Sequence, residues 1–243
     1  MEKPRGQAPS VADIWGVPIA VWRARRALDR GELERARALV APLLGRFGTV
    51  TLVRKIAAEI LYAAGDPLSA ATLFEQAAKK LPHDRAVALG LVASYAALNR
   101  AGDARRSASL RPDHIDVRLA LAWSELVAIG GDRERGRELV AECARDAELS
   151  SSPERVAMET ALEAIVAAHE RDRERVRATL ARAQRDASKM RSGDRAFLSY
   201  LGGVALREAG LADEARATFT LAMDASPESI GAALARRERA NLG

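Results

Sequence analysis

Residues 58–83, AEILYAAGDPLSAATLFEQAAKKLPH, decide the fold. They predict a helix rich in small residues, a turn at Gly65, and a second helix that ends at Pro82, because proline cannot continue a helix. The same layout returns in residues 210–227, GLADEARATFTLAMDASP. Counted from the glycine, Ala, Phe, Ala and Pro follow after 5, 9, 12 and 17 residues in both stretches. This shared spacing predicts a repeated structural unit.

The repeated unit resembles the tetratricopeptide repeat (TPR) family, whose repeat is a helix-turn-helix of about 34 residues. The resemblance implies an all-α fold, a right-handed α-solenoid of about six TPR-like helix-turn-helix repeats with a C-terminal capping helix. Each repeat of such a solenoid contacts only its neighbours. The composition agrees, since Ala, Leu, Arg and Glu favour helices and aromatic residues make up only 4 % of the chain.

The pattern predicts one solenoid over residues 15–243, preceded by a flexible segment at residues 1–14. The repeats are expected at 17–50, 51–84, 85–112, 113–150, 153–190 and 196–229, and the capping helix at 228–240. Pro42 is expected to kink or shorten the second helix of repeat one. Repeat three has a longer turn at residues 99–103 and a short second helix, because Pro112 stops it.

Five residues carry further structural predictions. Trp15 and Trp22 are expected to cover the end of the stack, since a terminal repeat lacks a neighbour on one side. Gly202 and Gly203 lie inside a predicted helix, where glycine costs about 1 kcal/mol relative to alanine. That cost indicates a neighbouring helix that approaches closely. In repeat five the turn glycine is absent, and Asp172 follows the place it would occupy.

The charge distribution bears on the class of partner. The net charge is +5, from 38 basic and 33 acidic residues. Arginine clusters occur at residues 23–30, 133–137 and 171–177, and acidic residues three or four positions away predict ordinary surface ion pairs. A continuous basic stripe with stacking aromatic residues, typical of nucleic-acid binding, is not evident. Nucleic acid is therefore an unlikely partner.

The sequence contains no recognisable catalytic or metal-binding motif. The three histidines are far apart and lack zinc-ligand spacing, and no phosphate-binding glycine motif is present. We expect no metal, no cofactor and no enzymatic activity. The single cysteine, Cys143, cannot form an intrachain disulfide, which fits a cytoplasmic location. No stretch approaches the ~20 apolar residues of a membrane span, and the N-terminus lacks a secretory apolar core.

The resemblance also implies where a partner binds. In TPR proteins the first helix of each repeat lines the concave face at positions 2, 5, 9 and 12, with the turn glycine at position 15. On this sequence the candidate partner-binding residues of the concave face are Arg25, Lys55, Glu59, Tyr62, Arg118, Leu121, Glu125, Phe197, Tyr200 and Arg207. A face with both apolar anchors and charges suits an extended peptide or a helix of another protein.

These features favour a protein–protein interaction scaffold or adaptor. Chaperone C-termini are excluded as ligands, because Lys55 is followed by Glu59 where that TPR subfamily has asparagine, and Glu59 would repel a carboxylate. Two alternatives stay open, a nucleic-acid-binding helical-repeat protein and a self-associating assembly scaffold that forms homo-oligomers.

Overall fold

The computed structural model describes residues 11–187 and 190–242, which form thirteen α-helices and no strand. The helices are α1 (Val11–Asp29), α2 (Leu33–Phe47), α3 (Thr51–Ala63), α4 (Pro67–Ala78), α5 (Arg85–Ala97), α6 (Ala101–Ala108), α7 (Ile115–Val127), α8 (Arg133–Ala144), α9 (Pro153–His169), α10 (Arg173–Asp186), α11 (Ser192–Glu208), α12 (Ala212–Ala225) and α13 (Ile230–Ala240). They pack as six consecutive pairs followed by α13, and each odd-numbered helix packs on the next odd-numbered one. The predicted all-α helical solenoid is confirmed.

One residue with positive φ lies in the turn between the helices of each pair. These residues are Gly31, Gly65, Asn99, Gly130, Arg171 and Gly210. In five of these turns, all except that of Gly130, the following N–H donates to the carbonyl five residues earlier, as in a Schellman helix end. The expectation of a longer turn in repeat three was wrong. Asn99 adopts the left-handed conformation that asparagine tolerates better than most residues, and α6 begins at Ala101.

Two other local expectations also differ from the structure. Pro42 does not shorten α2, which runs unbroken over 15 residues. Pro42 and Ala38 both lie on the exposed face, so water can bond the carbonyl that Pro42 leaves without a donor. Of the segment expected to be flexible, residues 1–10 lie outside the described residues, whereas residues 11–14 belong to α1. Trp22 is 55 % exposed, and the side chain of Trp15 lies outside the described part.

Glycines inside helices mark the tightest contacts between helices. A Cβ at Gly90 of α5 would overlap the ring of Phe74 from the preceding repeat. A Cβ at Gly203 of α11 would overlap the ring of Phe219 in α12. The predicted close approach is therefore confirmed at Gly203, while at Gly202 an added Cβ would make only ordinary contacts.

The last helix returns toward the early repeats. It packs on α11 and α12, and a Cβ added to Gly231 would lie 2.7 Å from the Cα of Phe197. It also reaches the turn at Gly65, where an added Cβ would be 3.0 Å from the Cβ of Ala233. Arg237 Nη1 donates to the Ala97 carbonyl at 3.0 Å. These contacts close part of the concave side, the side formed by the odd-numbered helices.

Candidate functional site

An aromatic cluster joins repeats that are distant in the sequence. The Trp123 and Phe197 rings meet edge to face with centroids 5.0 Å apart, and Tyr200 lies 6.3 Å from Trp123. Tyr62 packs on the same core from repeat two. Tyr200 is only 1 % exposed, and burial raises the pKa of its hydroxyl to about 12. Part of the concave side is thus filled by the protein's own side chains.

Beside this cluster lies a cavity of about 850 Å³, within the range of ligand pockets. Its wall is built by the last turns of α1 and α3 and the first turns of α5, α9, α11 and α13, together with α7. Its larger apolar lining residues are Leu28, Leu33, Tyr62, Phe74, Leu89, Leu119, Trp123, Met158, Phe197 and Ile230. Helices from every repeat meet here because the solenoid curves back on itself.

Charged residues surround this cavity, and most are held in ion pairs. Arg25 pairs with Glu59, whose pKa is raised by burial and is lowered to a smaller extent by Arg25. The Arg155 guanidinium donates two hydrogen bonds, of 2.7 and 3.1 Å, to the Asp116 carboxylate. The cavity wall therefore combines an apolar area with positively and negatively charged side chains held in ion pairs.

Four of the ten candidate residues line this cavity: Arg25, Glu59, Tyr62 and Phe197. Tyr200 lies in the aromatic cluster, out of reach of solvent. Each of these five comes from a repeat in which the positive-φ glycine stands two residues after the helix end. In those repeats the count from the turn glycine selected side chains that line the cavity or lie in the aromatic cluster beside it.

In repeat four the candidate residues lie outside the cavity. Arg118, Leu121 and Glu125 do not line the cavity, and α7 contributes Asp116, Leu119, Ala120 and Trp123 instead. The turn after α7 has five residues where the turns within the other pairs have three, because Ala128 is extended and Gly131 stands four residues after the helix end. Counting back from Gly131 therefore shifted the register by two residues, from Asp116, Leu119 and Trp123 to Arg118, Leu121 and Glu125. Counting forward from the N-cap residue, His114, selects residues that do line the cavity.

The remaining charged candidates are engaged within the chain. The Lys55 ammonium lies 2.7 Å from the Asp84 carboxylate. Arg118 pairs with Asp146, and Arg207 pairs with Glu238. Glu125 is only 1 % exposed, and its carboxylate accepts two hydrogen bonds from Arg105 and one from the Asp132 N–H. In this conformation Glu125 presents no surface to a partner.

The described residues contain no sign of a metal site, a reactive cysteine or a membrane span. They contain no group of three or more His, Cys, Asp or Glu side chains that could hold a metal ion. Cys143 is buried, and burial raises the pKa of its thiol to about 11, so the nucleophilic thiolate is disfavoured. None of the described helices combines the length and apolarity that crossing a membrane requires.

The stacked helix pairs are similar to those of a solved structure. The crystal structure of TTC0263, a thermophilic TPR protein in Thermus thermophilus, matches this chain with a TM-score of 0.54. The chain has a TPR-like helical-repeat fold. The match covers 79 % of this chain and 98 % of that chain at 21 % sequence identity, so it establishes the fold alone. No protein-family model and no curated protein matches the sequence.

Proposed function

We propose that this TPR-like protein is an interaction scaffold that binds a short segment of another protein in the cavity. The observation that carries the proposal is the cavity wall itself. It combines an aromatic and aliphatic area, around Trp123 and Phe197, with ion pairs such as Arg155–Asp116 at its edge. Peptide-binding grooves use this combination, since apolar anchors supply affinity and polar groups fix the orientation.

The size of the cavity limits the kind of ligand that can bind there. A volume of about 850 Å³ is that of a pocket for a drug-sized molecule and is too small for a long helix. We therefore propose an extended segment of a few residues with one large apolar side chain. That side chain would contact Trp123, Phe197 and Met158, and the backbone and polar side chains would meet Arg25, Glu59 and Arg155. A cytoplasmic location stays a prediction.

The experiment fills the cavity and leaves the fold intact. Ala86 is a half-buried cavity residue, and Ala217 is exposed on α12, away from the cavity. A displayed library of random peptides is selected on the natural protein, and the affinity of each selected peptide is measured by fluorescence anisotropy. We expect the Ala86→Trp variant to bind at least about tenfold more weakly, a loss of about 1.4 kcal/mol. The matched Ala217→Trp variant should bind like the natural protein.

Two outcomes would refute the proposal. One is that the selected peptides bind Ala86→Trp and the natural protein with equal affinity, although the two proteins melt at similar temperatures. The other is failure of the library to yield any peptide that binds more tightly than about 1 mM. Binding of bulk RNA with a steep dependence on salt would favour the nucleic-acid alternative. The pairing of Arg25, Arg155 and Arg191 with carboxylates argues against that alternative.

A further inference from the structure

The first repeat leaves uncovered a surface that the next two repeats bury. In repeat two, Val53, Ile56 and Ile60 of α3 are buried against repeat one. The residues 34 positions later, Val87, Gly90 and Ser94, are likewise buried, with Gly90 against the Phe74 ring of repeat two. The residues 34 positions before the α3 set are Ile19, Trp22 and Arg26. The same three positions therefore form the stacking surface between successive repeats.

In α1 this stacking surface faces water. Ile19 is 56 % exposed and Trp22 is 55 % exposed, whereas their equivalents in α3 are buried. No helix of the described chain precedes α1, so no residue of 11–187 or 190–242 takes the place that α2 holds against α3. Two large apolar side chains thus remain at positions whose equivalents in the next two repeats contact a preceding helix. We define the open face of α1 as Ile19, Trp22, Arg23, Arg26 and Arg30.

The charge on the open face indicates the charge of the partner that would bind it. The Arg26 guanidinium lies over the Trp22 ring, 5.1 Å from its centroid. Among the described residues, neither Arg23, Arg26 nor Arg30 forms an ion pair with a carboxylate, unlike Arg25 beside them. Such a basic and aromatic face attracts acidic groups. Asp29 is the one acidic residue on the exposed part of this helix within the described chain.

A second copy of the chain does not fit this face well. Two α1 helices stacked on each other would bring both sets of arginines together. The far end of the solenoid is basic too, because α13 exposes Arg236 and Arg239. Since like charges across an interface oppose association, both arrangements are disfavoured relative to an acidic partner.

We propose that the open face of α1 is a second docking surface, distinct from the cavity, for an acidic amphipathic helix of a partner protein. The partner helix takes the place that α2 takes against α3. In α2 the buried residues are Ala36, Val40 and Phe47, so the partner presents apolar side chains at comparable helical spacing. Its acidic residues flank that stripe and pair with the arginines of the open face.

The test uses the full chain and three synthetic helical peptides. The first carries the α2 apolar spacing with flanking Glu, the second has Lys in place of Glu, and the third is a scrambled version of the first. Trp22→Ser removes the aromatic anchor. Leu221→Ser is the matched control, because Leu221 is 56 % exposed on α12 at a distance from the open face. Both replaced side chains are exposed, so both variants should fold.

We expect the acidic peptide to bind the natural chain and to bind Trp22→Ser at least about tenfold more weakly. A charge reversal, Arg23→Glu, should weaken binding and reduce its dependence on salt, since an ion pair with a glutamate of the peptide is lost. Leu221→Ser should bind normally, and the Lys and scrambled peptides should not bind. Ala86→Trp should leave this binding unchanged, so that the cavity and the open face are tested separately.

Several results would overturn the inference. These are equal binding of the acidic and Lys peptides, no effect of Trp22→Ser, or no binding of the acidic peptide below about 1 mM. Light scattering that shows a concentration-dependent dimer, lost in Trp22→Ser, would assign the open face to a second copy. Peptide binding that appears only after deletion of residues 2–10 would assign it to the chain's own N-terminus. Binding to phosphatidylserine vesicles without peptide binding would assign it to a lipid surface.

Discussion

Replacing Gly90 by alanine tests the contact between repeats two and three. A Cβ at this position would overlap the ring of Phe74, which is buried and held by α4. Alanine favours a helix interior by about 1 kcal/mol relative to glycine. Overpacking of a rigid core costs about 3 kcal/mol at the upper end of the usual range. The steric cost exceeds the gain, so we expect Gly90→Ala to lower the free energy of unfolding by about 2 kcal/mol.

The assay compares the same substitution at two helical sites. Gly45 of α2 is exposed, and a Cβ there would meet no atom within 4 Å. Thermal unfolding is followed by circular dichroism at 222 nm. For a chain of this length about 1 kcal/mol shifts Tm by about 2–4 °C, so Gly90→Ala should lower Tm by about 4–8 °C and Gly45→Ala should raise it by about 2–4 °C.

A double-mutant cycle identifies the cause of the loss. Phe74→Leu removes part of the ring that the new Cβ meets, so the double variant should lose less stability than the sum of the two single variants. If Gly90→Ala is as stabilising as Gly45→Ala, helices α4 and α5 do not pack as the structure describes. If the two single effects simply add, the loss at Gly90 has another origin.

Three further predictions concern the interior. Glu125→Ala should lower the free energy of unfolding by about 2 kcal/mol in urea titrations, because the Asp132 N–H loses its acceptor and Arg105 loses its carboxylate; a change below about 0.5 kcal/mol would contradict this. Burial raises the pKa of Glu159 above its usual 4.5, so the native chain holds this proton more tightly than the unfolded chain, and stability is lost as the pH rises through that raised value. Glu159→Gln should therefore be more stable than the natural protein at pH 7, with an advantage in Tm that shrinks toward pH 4.5; a constant difference across this range would disprove it. Gly231→Ala should lower Tm, because its Cβ would overlap the backbone at Phe197, and an unchanged Tm would mean that α13 is not docked on α11.

The repeats themselves could be predicted from local sequence because their turns depend on short-range physics. Gly65 and Gly210 adopt positive φ, which glycine does without a Cβ penalty, and the helices beside them follow. Asn99 shows the limit of that approach. It continues the 34-residue spacing from Gly31 and Gly65, and the ability of asparagine to adopt the same backbone was the available signal. In repeat four the two extra turn residues moved the predicted residues by two positions, onto contacts with Arg105 of α6 and with Asp146, which follows α8.

The sequence by itself determined the helices and their pairing, because these follow from periodicity and turn chemistry within one repeat. The side on which Tyr62 and Phe197 were expected came from the resemblance to the TPR family. Only the tertiary structure decided how much of the concave side stays open. The curvature of the solenoid sums small rotations between successive repeats, and each rotation depends on side-chain packing such as Phe74 on Gly90. That sum brings Tyr200 against Trp123, across repeats four and six, and leaves a cavity where a continuous groove was expected.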